Sequence, residues 1–119
     1  MHELMVGRIG HPVVDSVHRV LVDRLWPRGI AKGTAPWDTW LKDVAPSSLL
    51  RQWYGHDPSR YAEFRQRYWG ELDSRPPDAS VHELLAIWEH EPVILLTVAK
   101  NLELSHVPIL HDFLMVSRG

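Results

Sequence analysis

The run Val20-Leu21-Val22 passes without a break into Asp23-Arg24-Leu25-Trp26-Pro27-Arg28-Gly29, so an apolar, β-branched stretch ends in charge and a Pro-x-Gly turn. Consecutive apolar residues leave no solvent face, which suits a parallel strand covered on both sides. A second run, Val93-Ile94-Leu95-Leu96-Thr97-Val98, has the same character and ends in Ala99-Lys100-Asn101. Parallel strands need long crossovers, which helices usually supply. The fold class that follows is α/β: a single three-layer domain, residues 1–119, with a small, mainly parallel sheet and helices on its faces.

The segments between the two runs carry the expected helices. Ser47 and Ser48 after Pro46 can cap a helix through Leu49, Leu50, Trp53 and Tyr54, which Gly55 ends. Asp57 is a good cap with Pro58 at the first position, and Tyr61, Phe64, Tyr68 and Leu72 then recur at helical spacing until Pro76-Pro77. Ser80-Val81-His82-Glu83 reads as a capping box for a third helix that ends before Pro92. Ser105 starts a last helix with Ile109, Leu110, Phe113 and Leu114 facing the core. At the front, residues 4–9 form a short strand closed by Gly10 and Pro12, whereas residues 30–46 read as a loop with a short strand or helical turn around Trp37-Leu41.

Composition excludes several function classes. With 119 residues, 45% hydrophobic and 24% charged, the chain fits one ordered domain. Its formal net charge of -2 argues against a general nucleic-acid coat, so any anion binding is local. The positive charge is concentrated from Arg24 to Lys32, where three cations occur with no acid. The absence of cysteine removes disulfides, zinc thiolates and cysteine nucleophiles, and fits a reducing, cytoplasmic setting. Neither a signal peptide nor a long apolar span is read, so no membrane partner is expected. The eight histidines include no H-E-x-x-H and no i, i+4 pair, which argues against a metal site. No motif names a cofactor.

Arg19 to Gly29 resembles the strand-and-turn R-V-L-V-D-R-L-W-P-R-G of the YeaO-like family, domain of unknown function 488. The resemblance continues through Ala45-Pro46-Ser47, Leu50-Arg51, Trp53 to His56, Phe64-Arg65 and Tyr68, then Pro92 to Lys100, Ser105-His106 and Ile109-Leu110. It implies a small cytoplasmic bacterial α/β protein with no established reaction. Many members place an aspartate after Ala-Lys, whereas this chain has Asn101.

Parallel neighbours would put Asp23, Arg24 and Lys100 on one carboxyl edge of the sheet, where α/β proteins bind ligands. The functional reading is a pocket in which Arg24, Arg28, Arg51 and Lys100 hold a carboxylate or phosphate. Trp26 would wall it, Tyr68, Asn101 and His106 would complete it, and Asp23 and His56 are the candidate acid–base groups. The plainer alternatives are that Asp23 and Arg28 form an ion pair fixing the turn, and that Trp26 packs beneath Pro27. Lys100-Asn101 ahead of the last helix could also cradle a phosphate on free backbone N–H groups. These features suggest an enzyme or binding protein for an anionic small molecule. The competing reading is a regulatory or stress-linked interaction module presenting a surface that includes Trp37 and Trp40. Oligomeric state is not encoded in any of them.

Overall fold

The computed structural model describes residues 2–10, 16–74 and 79–118. Four parallel strands, β1 (Leu4–Arg8), β2 (His18–Leu21), β3 (Thr39–Trp40) and β4 (Val93–Thr97), form one sheet in the order β1-β4-β2-β3. Four helices accompany them: α1 (Ser48–Tyr54), α2 (Tyr61–Ser74), α3 (Ala79–His90) and α4 (Val107–Arg118). The expected strand over 19–25 is shorter at its far end, although the Val22 amide still donates to the Leu96 carbonyl at 3.0 Å. Ser80 lies inside α3 and not at its cap. Residues 39–44 contain both alternatives read from the sequence, β3 and then a 3-10 turn.

Period-two alternation assigns the faces. Val20 and Val22 share one core with Val93, Leu95, Leu4 and Val6, and residues from all four helices pack into it. Leu21, Ile94 and Leu96 point the other way, towards Met5, Ile9, Trp26, Trp37 and Trp40. β4 is therefore buried on both faces, as its unbroken apolar sequence requires. The third layer is loop, formed by the segment between β2 and β3, with its tryptophans doing the covering.

That asymmetry follows from strand order. The chain moves outward from β2 to β3 and returns across β2 to β4. Two crossovers of one hand that run in opposite directions lie on opposite faces. The return carries α1, α2 and α3, while the outward leg has only 17 residues between strands, from 22 to 38, and no α-helix.

Gly7 shows how closely the loop-covered face is packed. A β-carbon there would lie 3.0 Å from the Ile94 side chain, so β1 and β4 meet through glycine at this point.

Candidate functional site

The carboxyl ends of β2 and β4 lie side by side, yet the chain leaves them in different directions. After β2 it runs towards β3, and after β4 it turns into α4, which packs on β1 and β4. Such a divergence opens the crevice where α/β sheets commonly hold ligands.

Asp23 fills the centre of that crevice. Its Oδ1 accepts from the Thr97 hydroxyl at 2.6 Å and its Oδ2 from the Val98 amide at 2.9 Å. Thr97 Oγ1 in turn accepts from the Ala99 amide at 3.1 Å. The Asp23 carbonyl accepts from Trp40 Nε1 at 2.7 Å, so Asp23 joins β2 to both neighbouring strands. The ion pair with Arg28 expected from sequence is replaced by these contacts, because β4 brings a hydroxyl and an amide closer than the turn brings its arginine. A carboxylate with two such donors is satisfied without a cation.

His106 closes the crevice from the helical side. Its Nε2 is 2.9 Å from the Val22 carbonyl, which only accepts, so Nε2 carries the proton in this contact. The same nitrogen lies 3.6 Å from Asp23 Oδ1, and both side chains are 13% exposed. Tyr68 stands edge-on to the imidazole, with ring centroids 5.9 Å apart, and its hydroxyl donates to the Val44 carbonyl at 2.6 Å.

Burial holds the His106 imidazole below its ordinary range, with the Asp23 charge and the Val22 carbonyl opposing that fall. Unfolding would therefore release a histidine that takes up a proton more readily. The contribution is complete above about pH 6.5, the ordinary histidine value, and is lost as pH falls towards the depressed folded value. Equilibrium denaturation from pH 8 down to pH 5 should show stability declining below about pH 6.5, with the His106 share of that slope absent in His106→Gln. An unchanged slope in the variant would remove His106 as its source.

The other residues singled out from sequence divide into two sets. Arg24 donates from Nε to the Pro46 carbonyl at 3.1 Å and from Nη2 to the Ala45 carbonyl at 3.2 Å, tying the β2 exit to the start of α1. Trp26 donates to the Ile30 carbonyl at 2.7 Å and packs edge-on against Trp37 and Trp40, at centroid distances of 4.8 and 5.3 Å. Trp37 is buried and Trp40 half-buried, so the tryptophan surface anticipated for a protein partner is turned inward. Asn101 caps the 3-10 turn Leu102–Leu104 through the Glu103 amide. Ser105 Oγ takes the Val107 amide, and Pro108 has none to offer, so the first turn of α4 provides less of a phosphate cradle than the sequence suggested.

Arg28, Arg51, His56 and Lys100 are exposed. Among the described residues, no hydrogen bond or ion pair engages the side chains of Arg28, Arg51 or Lys100. Arg28 and Lys100 follow β2 and β4 respectively, and α1 bridges the two exits. The N-terminal end of α1 is held by Arg24, and at its other end Tyr54 donates its hydroxyl to the Leu104 carbonyl at 2.7 Å. Arg51 rides on this bridge. His56 has a left-handed backbone, φ 59°, beside Gly55 in the turn into α2. Among the described residues, no group of three or more potential metal-ligating side chains is assembled.

Two members of this neighbourhood escaped the sequence reading. Thr97 is the one hydroxyl in an otherwise apolar run, and its position at the strand's end was the available signal. Arg8 lies beside Thr97 in the β1–β4 register. Its signal was similar, a lone cation closing an apolar strand.

The chain matches, over residues 4–118, the family model described as "Inactive DUF488-N3 subclade". It is 41% identical over 100 residues to an uncharacterised protein of Mycobacterium bovis, covering 84% of this chain and 82% of the relative. An uncharacterised protein of Mycobacterium tuberculosis (strain H37Rv) matches with the same figures: 41% identity, 84% and 82%. The uncharacterised protein YeaO of Escherichia coli (strain K12) is 39% identical over 97 residues, covering 82% of this chain and 83% of the relative. No solved structure matches the chain.

Proposed function

We propose, taking as premise that the chain belongs to the YeaO-like DUF488 family and to its inactive DUF488-N3 subclade, that it is a binding protein without catalysis of its own, which takes an anionic small molecule at the carboxyl edge of the sheet. The observation that carries the reading is a division of labour at that edge. Asp23, Thr97 and His106, the groups with acid–base potential in the crevice, are engaged with one another and with backbone. On the β2 exit, the β4 exit and the bridging helix, by contrast, Arg28, Lys100 and Arg51 are exposed cations whose side chains have no hydrogen bond or ion pair among the described residues, with Glu103 the one acid in the same state beside Lys100.

A general base must reach a substrate proton, and Asp23 already spends both oxygens on internal donors. A cation with no internal partner, by contrast, can turn to an external anion at little cost. The description "inactive" agrees with this division. Leu25, Leu49 and Val98, exposed by 59%, 81% and 45%, stand on the same three segments. They suit a ligand with an apolar body and an anionic end, nucleotides among them.

Thermal-shift measurement with inorganic phosphate, nucleoside phosphates and dicarboxylates should show stabilisation of the wild type by at least one class. At a ligand concentration about a hundredfold above Kd the gain is about 2.7 kcal/mol, a rise of several degrees in Tm for a domain of this size. Arg28→Ala should respond markedly less. Failure of every anion to stabilise the wild type, or an equal response in the variant, would sink the reading.

A further inference from the structure

Arg8 ends β1 and pairs with Thr97 in a parallel register that runs Leu4 with Val93 and Val6 with Leu95. Paired residues of parallel neighbours share a face, and Leu4, Val6, Val93 and Leu95 all belong to the helix-side core. Arg8 and Thr97 therefore emerge on that same side, at its carboxyl end, next to the crevice that Asp23 and His106 occupy.

The Arg8 Nε is buried and has no hydrogen-bond partner, alone among the described side-chain polar atoms buried to that degree. Chains seldom leave a buried donor in this state, and such groups call for a partner that completes them. Asp23, whose oxygens accept from Thr97 and Val98, makes no hydrogen bond or ion pair with Arg8. The Nε–H and the neighbouring terminal N–H of a guanidinium form a two-pronged donor whose spacing matches two oxygens of a carboxylate or phosphate.

We infer that Arg8 is the innermost ligand-binding residue of the carboxyl edge, gripping two oxygens of the anionic group through this fork, while Arg28, Arg51 and Lys100 screen charge farther out. The inference rests on the anion-binding reading and gives the ligand an orientation. Its charged end lies towards β1 and β4, and its apolar body lies out over Leu25, Leu49 and Val98.

The test follows the arginine Nε–H resonances of uniformly 15N-labelled full-length protein during titration with inorganic phosphate, adenosine monophosphate and succinate. Melting temperatures of wild type, Arg8→Lys and Arg8→Met are recorded in parallel. The Arg8 Nε–H signal is expected to move on titration with at least one probe, and the effective probe distinguishes a phosphate from a carboxylate ligand. Arg8→Lys keeps the charge without the fork and should bind at least tenfold more weakly. Arg8→Met keeps an apolar stem and should melt no lower than wild type in anion-free buffer, while losing the anion response.

If anions stabilise wild type and Arg8→Lys equally and leave the Arg8 signal unmoved, the inference falls and the outer cations remain the site. If no probe stabilises the wild type, the anion reading falls with it. A marked loss of melting temperature in Arg8→Met without any anion would make Arg8 a packing residue and likewise overturn the inference.

Discussion

Asp23→Ala is expected to destabilise the domain by about 3 kcal/mol, the scale of two charge-assisted hydrogen bonds at a nearly buried position. The Thr97 hydroxyl and the Val98 amide would both lose their acceptor, with the exposed Val98 amide turning to water and the buried Thr97 bearing most of the cost. Asp23→Asn retains one acceptor oxygen and should cost roughly half as much. Urea titration followed by circular dichroism would measure both, with an unchanged slope showing that the unfolded state is unaffected. The imidazole provides a second readout. Because the Asp23 charge raises the His106 pKa against burial, removing it should depress that pKa further, visible by NMR titration of the ring. A change below about 1 kcal/mol in Asp23→Ala would show that the crevice is not held by this carboxylate.

The second large effect lies on the opposite face of the sheet. Trp26→Ala should cost about 3 kcal/mol, towards the lower end for removal of a large aromatic because the ring is half-buried. The loss is spread over Trp37 and Trp40, which both meet Trp26 edge-on, and over Leu21, Ile94 and Leu96 beneath them. Trp26→Phe keeps an aromatic ring but removes the donor to Ile30, and about 1 kcal/mol is expected. The difference between the variants separates packing from hydrogen bonding. Should Trp26→Ala denature at the wild-type urea concentration, the tryptophan layer would be ornament on a sheet stable without it.

The sequence made the sheet legible because burial on both faces leaves an unmistakable apolar run, as at Val93 to Thr97. The helices were equally plain where a periodic face recurred, as at Phe64, Tyr68 and Leu72, although Asp57 caps a 3-10 turn, Pro58–Arg60, that leads into α2 and not α2 itself. What could not be read was which charged residue meets which backbone atom. Arg24 looked like a ligand group, yet its donors point to the Ala45 and Pro46 carbonyls, which lie about twenty residues away in sequence. The partners of Tyr68 and His106 were hidden in the same way, since a polar tip on a core side chain finds its partner only after the elements have packed. Nor does the sequence tell that Asp23 holds the β2 exit through β4 and not through Arg28. The tryptophans misled for a geometric reason: nothing local reveals that the leg from β2 to β3 must cover a face without an α-helix.

The strand order has a consequence in time as well as in space. β4 is the last strand to be synthesised, yet it occupies an interior position between β1 and β2. Until residues 93–97 have emerged, β1 has no strand to pair with, and β2 has only the two-residue β3. A nascent chain can therefore begin its helices early but cannot complete its sheet, because loop closure over some seventy residues must precede the pairings that reward it. Assembly waits for the C-terminal quarter of the chain, and the Asp23–Thr97 bond links the first third of the sequence to that late arrival.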